Sequence, residues 1–546
     1  MNRVAVVGGG TMGCGIALAV AAAGFEVTVV EPDGAAAARA SERIAKDALR
    51  MNAAAAPERI SVARTISELS GFDLAIEAVP EDLQLKEQIF LALEKTLGAQ
   101  AVLATNTSSL SVSAIADAME HPRRLIGLHF FNPANVMRLV EVVRGERSDD
   151  AAVAIGKAFV ESLGKTAVVA ADTPGFIVNR VARPYYLQSL YALEEEVGEP
   201  ADLDAFARGA GFRMGPFELM DLIGLDVNYA VSQSVFSQME EVRLAPVALQ
   251  AEMVERGELG RKSGHGFYQY DPSGKRIDDA TPPAAPLGPM AAPETIALLG
   301  YGPLAGDLAI RLENASAKFQ QIALDDQIAD LDLQATTIVL DAGDGASDRT
   351  EFLIALERTL PQDVILLVDA YATLISRLIE KCKHPERVVG FGILGSLDHQ
   401  DVVEIVDLDA TSDEALELAE EFFGALGKRV QLVGDGPGLF LGRVIGSVIN
   451  EAIYAVQEHV ASADDVDAAM RLGMNYPLGP IEWGREIGAP RVARILTQLA
   501  HERGMEFGPA RALWVLNVDN SQPPDIVAQM GEASPLVTSS EGEKQR

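Results

Sequence analysis

The chain has 546 residues, 48% of them hydrophobic and 23% charged, and a formal net charge of −34. That length exceeds what one hydrophobic core holds, so about three to four domains are expected. The negative charge repels nucleic acid and anionic membrane surfaces, but a small anionic ligand needs only a local cluster of donors.

Val4 to Val7 is a short apolar run ending in glycines, which predicts a buried strand. A helix is expected from Thr11 to Ala23, stopped by Gly24. Because Gly8, Gly9 and Gly10 interrupt the apolar start, it does not read as a signal peptide. Phe25 to Val30 predicts a second strand and Ala35 to Asn52 a long helix. Leu74 to Val79, Ala101 to Ala104 and Arg124 to His129 predict further strands, with helices between. Such alternation implies a parallel sheet covered on both faces, over residues 1–171. From Asp172 to about Arg256 the strand signals vanish and amphipathic helices such as Arg183 to Val197 take over, so 172–270 reads as an all-α domain. Residues 271–294 are rich in Pro, Ala and Asp and read as a linker. The polar end, 519–546, is expected to be disordered. No run of about 18 apolar residues predicts a membrane span. The two cysteines, Cys14 and Cys382, are too far apart for metal or redox spacing; no metal site is expected, and a cytoplasmic setting fits.

The pattern then repeats. Arg387-Val-Val-Gly390 echoes Arg124-Leu-Ile-Gly127, Asp435-Gly-Pro-Gly438 echoes Asp172-Thr-Pro-Gly175, and Leu478-Gly-Pro-Ile-Glu482 echoes Met214-Gly-Pro-Phe-Glu218. These three pairs share an offset of 263 or 264 residues, which indicates an internal duplication. A second sheet domain is expected over 295–434 and a second helical domain over 435–518. At the glycine loops the offset is 292, so the second copy lacks part of the region matching Glu31 to Phe72.

Gly8-x-Gly10-x-x-Gly13 follows a strand and opens a helix. The first glycine allows a tight turn, the second lets a pyrophosphate approach the backbone, and the third lets helix and strand pack closely. Thr11 and Met12 lie between them, at the positive helix N-terminus where the phosphates would sit. Glu31, closing the second strand, is placed to accept from a ribose hydroxyl and would disfavour a 2′-phosphate, so NAD is expected over NADP.

Several further segments carry a family likeness. They are Asn106-Thr-Ser108-Ser109, Gly127-Leu-His129-Phe-Phe-Asn132-Pro133, Met137-Arg-Leu-Val-Glu141-Val-Val, Asp172-Thr-Pro-Gly-Phe-Ile-Val-Asn179-Arg180, Met214-Gly-Pro-Phe-Glu-Leu and Gly264-His-Gly-Phe-Tyr268. In kind and order they resemble the 3-hydroxyacyl-CoA dehydrogenase family, from Met1 to about Tyr270. The resemblance implies a Rossmann-type domain plus a helical domain, an acyl-CoA thioester substrate, and four catalytic residues. His129 would be the base, Glu141 would hold its other ring nitrogen, Ser108 would bond the substrate oxygen, and Asn179 would position the acyl group or donate to its thioester carbonyl. It also implies that Glu81, Lys86, Ser108 and Asn132 line the NAD site, with Arg261 or Lys262 reaching the cofactor. The family's CoA-contacting lysine has no evident counterpart here.

At an offset of 263, His129 corresponds to Gly392, Ser108 to Tyr371 and Asn179 to Gly442; at 264, Glu81 corresponds to Gly345 and Lys86 to Thr350. Only Glu404, matching Glu141, remains. The second half reads as a catalytically dead copy whose glycine loop, Gly300-x-Gly302-x-x-Ala305, has only Asp325 in support. Its expected use is packing, as an internal pseudo-dimer, within a monomer or homodimer. Two other functions stand beside the leading one: a 3-hydroxy-acid dehydrogenase acting on a carnitine-like or sugar-acid substrate, and a non-catalytic NAD-binding scaffold.

Overall fold

The computed structural model describes residues 2–277, apart from 52 and 54, and 295–517, apart from 324–327, 329–332, 334–335, 344–348 and 372. The expected tail from 519, most of the expected linker (278–294), Asp325 and Gly345 all lie outside the described residues. Residues 271–277, read from sequence as linker, turn back on the helical unit. Tyr270 bridges Arg276, and the Asp271 carboxylate accepts from the Ser273 and Lys275 N–H groups.

The first sheet has eight strands: β1 (Arg3–Val7), β2 (Glu26–Val30), β3 (Ile60–Ala63), β4 (Leu74–Glu77), β5 (Val102–Thr105), β6 (Leu125–Phe130), β7 (Leu139–Arg144) and β8 (Thr166–Ala171). Their order is β3-β2-β1-β4-β5-β6-β7-β8. The central strands are buried on both faces, which is why they read as unbroken apolar runs. The strands expected from sequence do not include β3, an exposed edge strand, β7 or β8. The sheet is also not wholly parallel, because β7 runs antiparallel to β6.

The second sheet contains β9 (Ile296–Leu299), β10 (Phe319–Ile322), β11 (Ile338–Asp341), β12 (Ile365–Asp369), β13 (Val388–Gly392), β14 (Val402–Val406) and β15 (Arg429–Val433), in the order β10-β9-β11-β12-β13-β14-β15. Among the described residues its antiparallel pair is β13–β14, matching β6–β7. Among the described residues, helix Gly34–Arg50 and β3 have no counterpart, and the loss falls where the offset changes.

The two helical units pack on each other about a pseudo-twofold. The Ala171 N–H donates to the Val460 carbonyl at 2.8 Å, and the Gly434 N–H donates to the Val197 carbonyl at 2.9 Å; these residues correspond pairwise at the offset of 263. Tyr185 and Phe212 of one half meet Tyr476 and Trp483 of the other, and one apolar core runs through both. Burial of that continuous surface is what holds the halves together.

Repeated turns have repeated causes. The buried Asp204 accepts from the Phe217 and Glu218 N–H groups, as Asp467 does from Ile481 and Glu482. A side chain at Gly215 or Gly479 would collide with that carboxylate. Asp172 likewise accepts from the N–H groups of Val112 and Ser113, and Asp435 from those of Ile375 and Ser376. These motifs are architectural in both halves.

Candidate active site

His129 on β6 and Glu141 on β7 are direct cross-strand partners. Side chains opposite one another in an antiparallel pair share a face, and here Nδ1 of His129 lies 2.6 Å from Oε2 of Glu141. Glu141 is fully buried, and its Oε1 accepts from the N–H groups of Ile177 and Val178, each at 3.0 Å. Three donors therefore converge on one carboxylate. With the Nδ1 proton held there, Nε2 is left with its lone pair, as a proton acceptor requires. The Phe131 and Phe176 rings stand 4.5 and 5.8 Å from the imidazole, which is 6% exposed. Water is largely excluded around it, and the low local dielectric strengthens the pair.

Asn179 directly follows Val178 on helix Val178–Val181 and is partly exposed, so one turn of chain both braces Glu141 and carries Asn179. Ser108 lies beyond β5, where its N–H and hydroxyl donate to Glu81 at 2.7 and 3.2 Å. The Thr107 hydroxyl donates to the same carboxylate. Lys86 is 1% exposed and sits between Glu77, at 2.7 Å, and Glu81, at 3.3 Å. It braces the Glu81–Ser108 loop from behind and does not line an open surface. Asn132 is exposed, just past β6.

Sequence reasoning gave Asn106 no separate role, yet its Oδ1 accepts from the Phe130 N–H at 2.8 Å and ties the end of β5 to the strand bearing His129. Glu77 was missed because an acid at a strand end looks like a solvated charge until its buried lysine is seen.

The glycine loop has the shape its spacing predicts. A Cβ on Gly8 (φ 115°) would lie 2.6 Å from the Ala78 carbonyl, and one on Gly13 would lie 1.9 Å from the Gly8 carbonyl. A Cβ on Gly10 would meet nothing within 4 Å beyond its chain neighbours and its own helix. That space opens before helix Thr11–Ala22, whose N-terminus has no side-chain cap. Exposed Thr11 and half-buried Met12 form its first turn. Free N–H groups with open space in front of them suit a diphosphate. Glu31 is fixed beside the loop, its carboxylate accepting from the Gly9 and Asp33 N–H groups at 3.0 and 3.1 Å. Arg43 donates to the Thr11 hydroxyl at 2.5 Å; no local pattern marks it, since the contact joins helices 32 residues apart. Arg261 pairs with Glu218, and Lys262 with Asp226, within the helical unit.

The model of the 3-hydroxyacyl-CoA dehydrogenase NAD-binding domain matches residues 3–173 and again 302–436. That of the family's C-terminal domain matches 175–270 and 438–524. The chain belongs to the 3-hydroxyacyl-CoA dehydrogenase family. A 3-hydroxyadipyl-CoA dehydrogenase of Escherichia coli (strain K12) is 36% identical over 517 residues, 93% of this chain and 95% of that protein. A 3-hydroxybutyryl-CoA dehydrogenase of Mycobacterium tuberculosis (strain CDC 1551 / Oshkosh) is 40% identical over 282 residues, 50% of this chain and 99% of that protein. The crystal structure of a 3-hydroxybutyryl-CoA dehydrogenase from Escherichia coli K12 substr. MG1655 superposes with a TM-score of 0.75 at 34% identity, covering 94% of this chain and 97% of that one. The protein is thus an NAD-dependent oxidoreductase with each family domain present twice.

In the second family unit the site is filled. Tyr371, at the position of Ser108, donates its hydroxyl to Oε2 of Glu404 at 2.5 Å. Oε1 of Glu404 accepts from the Phe440 and Leu441 N–H groups, repeating the bonds of Glu141. A Cβ on Gly392 or Gly442 would lie 2.7 or 2.9 Å from the Tyr371 ring. The ring therefore occupies the room of both the missing imidazole and the missing asparagine. Arg491 bonds Asp369 at 2.7 Å and the Leu394 carbonyl at 2.9 Å, sealing this cleft from the helical side. One correspondence changes: Arg349, not Thr350, replaces Lys86, and pairs with Asp341 at 3.1 Å as Lys86 does with Glu77. The brace survives where the site does not.

Proposed function

We propose that this protein oxidises the 3-hydroxyl of a 3-hydroxyacyl-CoA thioester, reversibly, with all chemistry in residues 1–270 and none in the degenerate half, 295–518. The observation that carries this reading is the buried His129–Glu141 pair beside the helix bearing Asn179. Nε2 of His129 takes the hydroxyl proton as the carbinol carbon loses hydride, and Glu141 stabilises the imidazolium that results. NAD, when bound, accepts the hydride. Gly8, Gly10, Thr11, Met12 and Gly13 hold the diphosphate and Glu31 a ribose. Ser108 would bond the substrate oxygen and Asn179 would position the acyl group or donate to its thioester carbonyl, while Glu81 and Asn132 would line the NAD site with Lys86 braced behind. Candidate substrates are 3-hydroxybutyryl-CoA and 3-hydroxyadipyl-CoA, the acyl groups that the relatives' names carry. Fatty-acid or aromatic-acid degradation in the cytoplasm is the setting this chemistry fits. Among the described residues no helix is long and apolar enough to cross a membrane.

The test is a steady-state panel followed at the nicotinamide absorbance, with acetoacetyl-CoA, 3-hydroxyacyl-CoAs of several chain lengths and carnitine. Turnover with the thioesters supports the proposal. Turnover with carnitine alone, or none with any substrate, rejects it.

A further inference from the structure

Arg180 follows Asn179 on the short helix whose N–H groups hold Glu141. Its guanidinium is 1% exposed, and both carboxylates that neutralise it come from the second half. Nε donates to Glu451 at 2.7 Å, and a terminal nitrogen donates to Glu458 at 2.7 Å. Glu451, itself 1% exposed, also accepts from Nε of Arg243 at 2.8 Å. It therefore joins two arginines of the first half in a buried cluster completed by Glu241. Packing reinforces the link: a Cβ on Gly473 would lie 2.9 Å from Leu139 on β7 and 3.1 Å from Val178, so the second half forms a floor under the elements that hold Glu141.

The pseudo-twofold provides an internal comparison. Arg443, the counterpart of Arg180, reaches back to Glu195, the counterpart of Glu458, at 2.6 Å. Glu195 is shared with Arg503. The counterpart of Glu451, however, is Gln188, buried and uncharged. The extra buried carboxylate occurs only on the side that serves the intact site. A buried arginine left short of a carboxylate must shift or recruit water, and here it would move the turn carrying Val178 and Asn179.

We infer that Glu451, contributed by the catalytically inert half, is a positioning residue for the reaction of the first half, acting through Arg180 on Asn179 and Glu141. This rests on the proposed dehydrogenase reading. Turnover by the unmodified protein tests that reading, and the ratio of variant to unmodified protein tests this inference.

The experiment compares Glu451→Gln and Glu451→Asp in the full chain, measuring kcat and KM for acetoacetyl-CoA, NADH affinity by fluorescence, and thermal melting. A small misplacement of a reacting group costs rate before it costs binding, so Glu451→Gln is expected to lower kcat by about tenfold to a hundredfold, with KM and NADH affinity within about twofold. Glu451→Asp, which keeps the charge, should recover most of that loss. Unchanged kcat in a folded Glu451→Gln protein overturns the inference. So does an aspartate variant no better than the glutamine one, or a parallel loss of kcat, NADH affinity and melting temperature. Should Glu451→Gln not fold, Glu458→Gln, at the partly exposed end of the same arginine, carries the test: a lower kcat with intact NADH affinity supports the inference, and unchanged kcat overturns it.

Discussion

The Tyr371 hydroxyl stands on Glu404 where, in the first half, the His129 imidazole stands on Glu141. The carboxylate and its two backbone donors are common to both halves. What changed is the third partner, and with it the volume left for a substrate. Three substitutions that look independent in sequence (serine to tyrosine, histidine to glycine, asparagine to glycine) form one packing solution, because the ring fits only if both glycines lack a Cβ.

Tyr371→Phe is therefore expected to leave dehydrogenase activity unchanged and to lower stability by about 1–3 kcal/mol, through the unpaired buried Glu404. Chemical denaturation beside a kinetic assay checks this. A fall in kcat without loss of stability would show that the second half takes part in the chemistry.

Burial pushes the Glu404 carboxyl up to about 7. A folded pKa above the unfolded one means that the folded chain holds a proton the unfolded chain has released between the ordinary carboxylate range and pH 7. The stability from this group is present at low pH and is lost as pH rises through that window. Glu404→Gln keeps an acceptor for the Phe440 and Leu441 N–H groups and removes the titration. Its advantage over the unmodified protein should grow from pH 5 to pH 8, by on the order of 2 kcal/mol. Asp204 and Asp467, which burial raises to about 6, titrate alike in both proteins, so the difference isolates Glu404. Equal pH profiles would contradict this.

The glycine loop separates folding from binding. Gly13→Ala places a methyl 1.9 Å from the Gly8 carbonyl and should cost stability as well as NADH affinity. The added methyl of Gly10→Ala meets nothing within 4 Å beyond its own turn, so this variant should melt like the unmodified protein while losing NADH affinity. Loss of affinity by about tenfold or more in Gly10→Ala, seen by fluorescence titration, checks the placement of the diphosphate. Unchanged affinity would move the phosphates elsewhere.

The duplication, the alternating sheet elements and the glycine loop were legible in the sequence because each is local or recurs at a fixed offset. So was the pairing of His129 with Glu141, although only through family likeness: the antiparallel turn of β7 that makes them neighbours leaves no periodic trace. The edge strand β3 has too little burial to announce itself. The braces Glu77–Lys86 and Arg180–Glu451 join residues through tertiary contact alone. The shift of one residue that pairs Arg349 with Asp341 shows the limit of a fixed offset, since a single deletion in a loop changes which side chain inherits a role.

Glu141→Gln keeps an acceptor for Ile177 and Val178 yet cannot stabilise an imidazolium as an anion does. Its kcat should fall by roughly a hundredfold while NADH binding holds. A rate near that of the unmodified protein would remove Glu141 from the mechanism.

The most direct measurement is the rate of acetoacetyl-CoA reduction by His129→Gln with NADH already bound. The predicted result is undiminished NADH affinity, since the hydrogen bond of the His129 side chain runs to Glu141 on the neighbouring strand, and a rate lower by about a thousandfold or more. A His129→Gln enzyme that reduces acetoacetyl-CoA at close to the unmodified rate would contradict the assignment of the base and, with it, the account of the site.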